Sequence, residues 1–339
     1  MYALDALLRT VPTDLVDEAT HKRLRLAGDQ LPDAMAAGLG LEARLGPDPR
    51  VDLLLCAATR RQLAVLAGAD QAVRLAAEVT AHPGWAGTAR LAARSLRLLD
   101  NGSPLAARLW LEFDLTDPDR APVPAVFAAA TPTGGRHRPE PAGWDVPGTV
   151  TEIVATAAVG GPDAAGLGPV LRRIVDAGIL VKQVGLFPGR SAAGVRLLCA
   201  ATPDPDRLPG ALTRCGWTGH RARLTRWMHR CAALGGLLHL DIDLTPTGPL
   251  PTVGIEMSYP GAPQPSEEPR WSGLLAVLQR TGLCTAAKRA AVERLGADFT
   301  VNMITDRRYR QGLHHVKVAV PGNGPESAKV YFGAYEAGD

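Results

Sequence analysis

The sequence predicts an α+β fold: a ten-stranded antiparallel β-barrel built from five ββ hairpins and surrounded by helices. Three observations predict it. Strand–turn–strand patterns occur at five places, an amphipathic helical stretch separates each from the next, and charge gathers on one face of successive strands. Side chains alternate faces along a strand, so a segment that is apolar at every second position and charged between them must serve two different environments.

The repeat is visible by comparison of segments. LWLEFDLT (residues 109–116) resembles LHLDIDLT (238–245), and each continues into a second short strand, PVPAVFAAA or LPTVGIEMSY. VKQVGLFPGR followed by GVRLLCAA (181–201) resembles VKVAVPGNG followed by AKVYFGAY (316–335). Strand, Pro-Gly turn and strand in succession read as a hairpin. LEARLGPDPRVDLLLCAA (41–58) adds a fifth. The hairpins are therefore expected near 41–58, 108–129, 180–201, 237–259 and 313–335. Helices are expected over roughly 12–38, 59–100, 150–178, 204–234 and 271–296. Two linking segments, 167–178 and 274–282, end at glycine, which favours a helix stop there.

The strand faces follow. In 109–115, Leu109, Leu111, Phe113 and Leu115 oppose Trp110, Glu112 and Asp114. In 238–244, Leu238, Leu240, Ile242 and Leu244 oppose His239, Asp241 and Asp243. Glu256 opposes Ile255 and Met257, Arg196 opposes Val195 and Leu197, His315 and Lys317 oppose Val316 and Val318, and Lys329 and Tyr331 oppose Val330 and Phe332. Helices cover the apolar face. An open sheet would show the charged face to water, whereas closure removes exposed strand edges and makes that face a polar lumen. Closure is the reading adopted, with residues 1–339 forming one domain.

Composition narrows the function classes. The 339 residues carry 37 Lys and Arg against 34 Asp and Glu, a net charge of +3, which does not point to nucleic acid. No apolar run is long enough for a membrane span, and the N-terminal segment lacks a secretion pattern. The five cysteines are scattered without zinc spacing. A cytoplasmic protein with reduced thiols and no bound metal is expected. Cys56 and Cys199 read as small buried apolar residues.

Five helix-flanked hairpins closing into a ten-stranded barrel with a polar lumen resemble the aromatic prenyltransferase barrel, or ABBA fold. The ending AKVYFGAY is similar to the Lys-x-Tyr strands with which those enzymes hold diphosphate. Prenyl transfer needs cations for the departing diphosphate and aromatic faces around the allylic cation. Arg196, Lys317, Lys329 and Tyr331, with Lys182, supply the first. Aromatic shielding looks sparse, with Tyr2 and Tyr309 outside the expected strands. Glu112, Asp114, Asp241, Asp243 and Glu256 form an acidic wall that suits diphosphate only with Mg²⁺. An acidic half facing a basic half suits proton transfer instead.

The segments 270–295 and 314–335 also resemble uncharacterised proteins of ribosomal-peptide biosynthesis, including the cyclase-like component of class V lanthipeptide systems. That resemblance implies a precursor peptide as substrate, companion biosynthetic enzymes as partners, and a thioether-forming acid–base reaction. On this reading the catalytic candidates are Glu112, Asp114, His239, Asp241, Asp243 and Glu256, and the substrate-binding candidates are Arg196, His315, Lys317, Lys329 and Tyr331, with no cofactor. Aromatic or peptide prenyl transfer is the alternative, with a small-molecule substrate and Mg²⁺ as the only metal in question. A non-catalytic peptide-binding barrel is the third. The Arg-rich stretch 216–234, around Trp217 and Trp227, reads either as a dock for an acidic leader peptide or as a solvated helix face. The long loops 129–149 and 259–270, rich in Pro and Gly, read either as caps on a barrel mouth or as disordered segments.

Overall fold

The computed structural model describes residues 2–103, 105, 108–115, 122–131, 144–157, 164–188, 194–200, 204–296, 298–301 and 307–336. The strands are β1 (Gly38–Arg44), β2 (Val51–Ala57), β3 (Leu109–Phe113), β4 (Pro124–Ala129), β5 (Leu180–Leu186), β6 (Val195–Ala200), β7 (Leu237–Thr245), β8 (Gly248–Ser258), β9 (Asp298–Val301), β10 (Arg307–Val320) and β11 (Ser327–Glu336). They run in the order β11-β1-β2-β3-β4-β5-β6-β7-β8-β10, and β10 pairs back onto β11, so ten strands close. β9 extends the N-terminal end of β10. Every pairing is antiparallel. All five expected hairpins are present, and the first and last meet along Gly38–Arg44 and Lys329–Tyr335.

The helices are α1 (Tyr2–Thr10), α2 (Glu18–Asp29), α3 (Arg60–Leu66), α4 (Ala77–Thr80), α5 (Pro83–Asp100), α6 (Val146–Ala157), α7 (Ala164–Asp176), α8 (Arg207–Arg214), α9 (Arg221–Ala233), α10 (Arg270–Arg280) and α11 (Ala286–Glu293). The expected stretches 59–100, 150–178, 204–234 and 271–296 are each broken into two or three pieces, because caps intervene that periodicity alone does not resolve. Thr59 and Gln62 form a reciprocal capping box at α3, Pro83 opens α5, and Thr285 caps α11. The expected glycine stops are real: Gly178 and Gly282 take φ +80° and +76° after α7 and α10. Within 12–38 the helix is α2, and α1 (Tyr2–Thr10) precedes that stretch as a helix the periodicity does not mark. None of the described helices is long and apolar enough to cross a membrane.

The core lies between barrel and helices. Leu109, Leu111, Phe113, Leu240, Ile242, Val316, Val330 and Phe332 are each at most 1% exposed, the face alternation assigned to the helical layer. Trp85, Trp227 and Trp271 fill it from α5, α9 and α10. Trp85 and Trp271 also donate Nε1 to the carbonyls of Pro122 (2.8 Å) and Ala262 (3.0 Å), so each ring packs and pins a loop at once.

Two expectations about chain ends change. Tyr309 belongs to β10, opposite Phe299 and Glu336, and is buried. The strand starts six residues before the expected 313 because a bulge between Leu313 and His315 shifts its alternation and hides its continuity from a period-2 reading. Segment 259–270 runs along β10, with Leu313 N donating to Pro263 O at 2.7 Å and Gln264 Nε2 to Gly296 O at 3.0 Å. Of loop 129–149, positions 132–143 lie outside the described residues.

The closing seam leaves no room for a side chain at Gly333. An added Cβ would stand 2.2 Å from the Leu39 carbonyl oxygen and 2.7 Å from Gly40 Cα, both backbone atoms that cannot swing aside. Gly333→Ala should cost about 1–3 kcal/mol, the usual range for overpacking, read as a lower urea midpoint with an unchanged slope.

Candidate active site in the barrel lumen

The residues between the apolar positions turn inward and meet. On β1 they are Gly40, Glu42 and Arg44, on β2 Asp52 and Leu54, and on β3 Trp110 and Glu112. Register carries Glu42 opposite both Asp52 and Tyr331, and Arg196 opposite Asp243. Contacts across the interior prove the enclosure. Trp110 on β3 meets His314 on β10 edge-on, ring centroids 6.0 Å apart, although three strands separate them along the sheet.

Glu42 is the hub. It is 1% exposed, and its carboxylate accepts from Lys329, Tyr331 and Arg44. Burial alone would raise its pKa, but the cations Lys329, Arg44 and Lys317 hold it far below the usual carboxylate range. Arg44 reaches on to Asp52 at 3.3 Å. Asp52 is pushed up to about 7 by burial and by the Glu42 charge. Glu112 is likewise raised, by burial and then by Glu42. Tyr331 is raised well above its ordinary value by burial, with the Glu42 charge adding to it.

A second group lies on β6, β7, β8 and β10. Arg196 donates through Nε and Nη2 to both oxygens of Asp243, at 2.7 and 2.9 Å, a bidentate geometry. Burial opposes its charge, but the Asp243 hydrogen bonds and charge hold the guanidinium firmly protonated. Lys317 contacts Asp241 and lies 3.8 Å from Glu256. It reaches Asp241 past Gly254, where a Cβ would meet Lys317 Cε at 2.7 Å. Burial, with the positive charges of Arg196 and Lys329, lowers the Lys317 pKa. Glu256 is driven by burial from 4.5 to about 8. His315 falls to about 4 for the same reason. Among the described residues its Nε2 has no hydrogen-bond partner, and it stands 3.5 Å from Glu256 Oε1, while its ring stacks on Tyr331 at 3.9 Å. At neutral pH the pair is a protonated carboxyl facing an uncharged imidazole.

Of the candidates named from sequence, Glu112, Arg196, Asp241, Asp243, Glu256, His315, Lys317, Lys329 and Tyr331 converge. His239 stands on the same face, opposite Glu256 in register. Asp114 does not join them: it lies just beyond the end of β3, is exposed, and acts on Arg50 and Asp52 by charge. Lys182 sits at the β5 bulge, so strand alternation does not set its direction. The acidic and basic halves are replaced by alternating arcs. Carboxylates occupy β1–β3 and β7–β8, the first arc including the cation Arg44, with further cations on β6 and on β10–β11, because the second and fourth hairpins are not neighbours in the ring. Glu42, Arg44 and Asp52 escaped the sequence reading although LEARL and VDLLL carry the same alternation.

The aromatic lining is richer than the sequence suggested. Phe127 packs edge-on against Phe187 at 5.8 Å, Arg196 lies 4.9 Å over Phe187, and Trp110 is the register neighbour of Phe127. Gly185 makes this fit, since a Cβ there would sit 2.4 Å from the Phe127 ring. Tyr2 is 65% exposed and plays no part.

Carboxylate oxygens of Glu42, Asp52 and Glu112 lie within 4.8 Å of one another. A divalent ion does not fit this set as it stands, because Arg44 already bridges Glu42 and Asp52 and Lys329 contacts Glu42. The five cysteines are free and buried, and burial raises Cys56 to about 11 and Cys231 to about 12, so they remain thiols. A cavity of about 470 Å³ opens elsewhere, between α6 and α7, lined by Asp145, Thr151, Pro169 and Arg172. On α9, Trp227 is wholly buried, Arg223 donates to Gly324 O at 2.7 Å and Arg226 pairs with Glu326. Those residues tie the helix to the β10–β11 turn.

A closed antiparallel barrel of five hairpins, helices outside and ionised groups within, defines the prenyltransferase-barrel (ABBA) fold, and this chain has that fold. Among solved structures, the apo form of prenyltransferase PriB matches with a TM-score of 0.52 at 15% identity, over 98% of this chain and 94% of that one. AnaPT from Neosartorya fischeri matches with a TM-score of 0.51 at 12% identity, over 93% and 88%. A 5-dimethylallyltryptophan synthase from Streptomyces coelicolor gives 0.47 at 13% identity, over 97% and 95%. No family model matches the chain, and no curated protein matches it in sequence.

The raised carboxyls make stability depend on pH. Asp52 and Glu256 keep protons in the folded chain that the unfolded chain has released, so stability falls as pH rises from their ordinary values, 3.8 and 4.5, through about 7 and 8. Melting temperature should drop between about pH 5 and 8. Glu256→Gln should flatten the upper part of that slope, and an unchanged slope would show that Glu256 is not a buried acid.

Proposed function

We propose that the protein is an enzyme that transfers an allylic group from a diphosphate to a small-molecule acceptor inside the barrel. The observation that carries this reading is the convergence of Arg196, Lys317, Lys329 and Tyr331 on a lumen flanked by Trp110, Phe127 and Phe187. The allylic carbon–oxygen bond breaks, its electron pair leaves with pyrophosphate, and the acceptor forms the new bond and then gives up a proton. Cations and the Tyr331 hydroxyl oppose the charge growing on the leaving group. Aromatic faces shelter the allylic cation from water. The unpartnered Nε2 of His315, beside Glu256, is the candidate acceptor for the proton. The fold shared with PriB supports the reading.

An unreactive allylic thiodiphosphate should bind, as measured by calorimetry. Lys329→Met and Arg196→Met should each weaken binding at least about tenfold, the scale of one lost charge-assisted contact. Lys329→Arg should restore most of it. Absence of binding by the unaltered protein would end the proposal.

A second reading has one specific observation behind it: the lumen cations Arg44, Arg196, Lys317 and Lys329 are each already in contact with a carboxylate. Such a site suits acid–base cyclisation of a dehydrated precursor peptide, with one group deprotonating the substrate thiol and another protonating the enolate. Glu112→Gln or Asp241→Asn should then abolish thioether formation, read as retained free thiol by mass spectrometry, with the melting temperature kept near that of the parent. Full activity in both variants would remove this reading.

A further inference from the structure

We infer that Glu256 is a proton-linked gate of the lumen: an anionic ligand is accepted beside Lys317 only when Glu256 carries a proton. The inference rests on the diphosphate reading above and adds a condition for occupancy of that site.

The geometry is a contest for one ammonium group. Lys317 Nζ contacts Asp241 and stands 3.8 Å from Glu256 Oε1. Glu256 is paired in register with Lys317 on one side and His239 on the other. The groups facing it are His239 and Asp241 on β7 and His315 and Lys317 on β10, with Arg196, Glu42 and Glu112 acting on it by charge. Among the described lumen residues whose direction the register sets, the carboxylates Glu42, Asp52, Glu112, Asp241, Asp243 and Glu256 outnumber the cations Arg44, Arg196, Lys317 and Lys329. With all of them ionised, the lumen has a formal excess of two negative charges. An incoming anion would deepen that excess in a poorly solvated interior.

Glu256 is a carboxyl placed to relieve it. Its only described cationic contact is the 3.8 Å approach of Lys317, in contrast to the hydrogen-bonded Glu42 and Asp243. A proton on Glu256 neutralises it while leaving the Lys317–Asp241 contact in place, and its pKa of about 8 puts that proton in range. Below about pH 8 the proton is already present and the anion enters without uptake. Above it, each binding event takes up one proton, so affinity falls about tenfold per pH unit.

The test uses the full-length protein and inorganic pyrophosphate, with binding followed by calorimetry from about pH 6.5 to 9. The ratio of parent to Glu256→Gln affinity cancels the ligand's own titration. That ratio should stay constant below about pH 7.5 and fall about tenfold by pH 9. A second measurement compares proton uptake in two buffers of different ionisation enthalpy: at pH 9 the parent should take up close to one proton more than Glu256→Gln, and at pH 6.5 the two should match, so that the ligand's own protons cancel. A constant ratio, or no excess uptake by the parent at pH 9, would overturn the gate while leaving the diphosphate reading intact. Absence of pyrophosphate binding at every pH in both proteins would overturn that reading and the gate with it.

Discussion

A carboxylate with 1% of its surface in water stays ionised only if cations replace the water it has lost, and Glu42 shows how much of the fold is arranged to supply them. Its partners come from its own strand (Arg44) and from β11 (Lys329 and Tyr331). That is the pairing at which the first and last hairpins meet. The seam that turns a sheet into a barrel is thus also a place where opposite charges meet. Backbone pairing of β1 with β11 brings the ions together, and the ions in turn favour that register over a slip that would leave Glu42 without partners. The pairing that closes the barrel also completes this part of the site.

The barrel was legible because alternation is a strong local signal. A run such as LHLDIDL can satisfy a helical layer and a polar interior only as a strand, and five such runs with helices between them leave few architectures. Nine of the residues singled out converge for the same reason. Legibility failed where the outcome depends on which strands become neighbours. Segregated acidic and basic walls follow from reading hairpins as blocks, whereas the ring order places Arg196 against Asp243 and Lys317 within reach of Asp241 and Glu256. Asp114 lies apart from the others because alternation does not say where a strand stops. Glu42 was overlooked although its pattern was as clear as the others, since its importance comes from partners nearly 290 residues away in the chain.

The interior also has a division of labour that charge counting misses. Trp110, Phe127 and Phe187 line a section where β4 and β5 contribute an aromatic ring and a glycine in place of ions. Polar groups crowd the opposite section, from β7 and β8 through β10 and β11 to β1. A ligand with one apolar and one ionic end would find a matching environment at each. The fold by itself sets neither end, because the helical layer outside depends only on the apolar positions, and the inward residues are free to vary without disturbing it.

The bulge at His314 gives β10 a change of phase. Before it, Tyr309, Gln311 and Leu313 face the helices, where Gln311 Nε2 bonds Thr10 Oγ1 at 3.0 Å. After it, Val316, Val318 and Val320 do so, and His315 and Lys317 are turned to the interior. One inserted residue therefore acts as a splice between two incompatible frames of the same strand. The upstream frame is committed to anchoring the N-terminal helix and the downstream frame to the reactive interior, so either half can be rewritten in evolution without transposing the other.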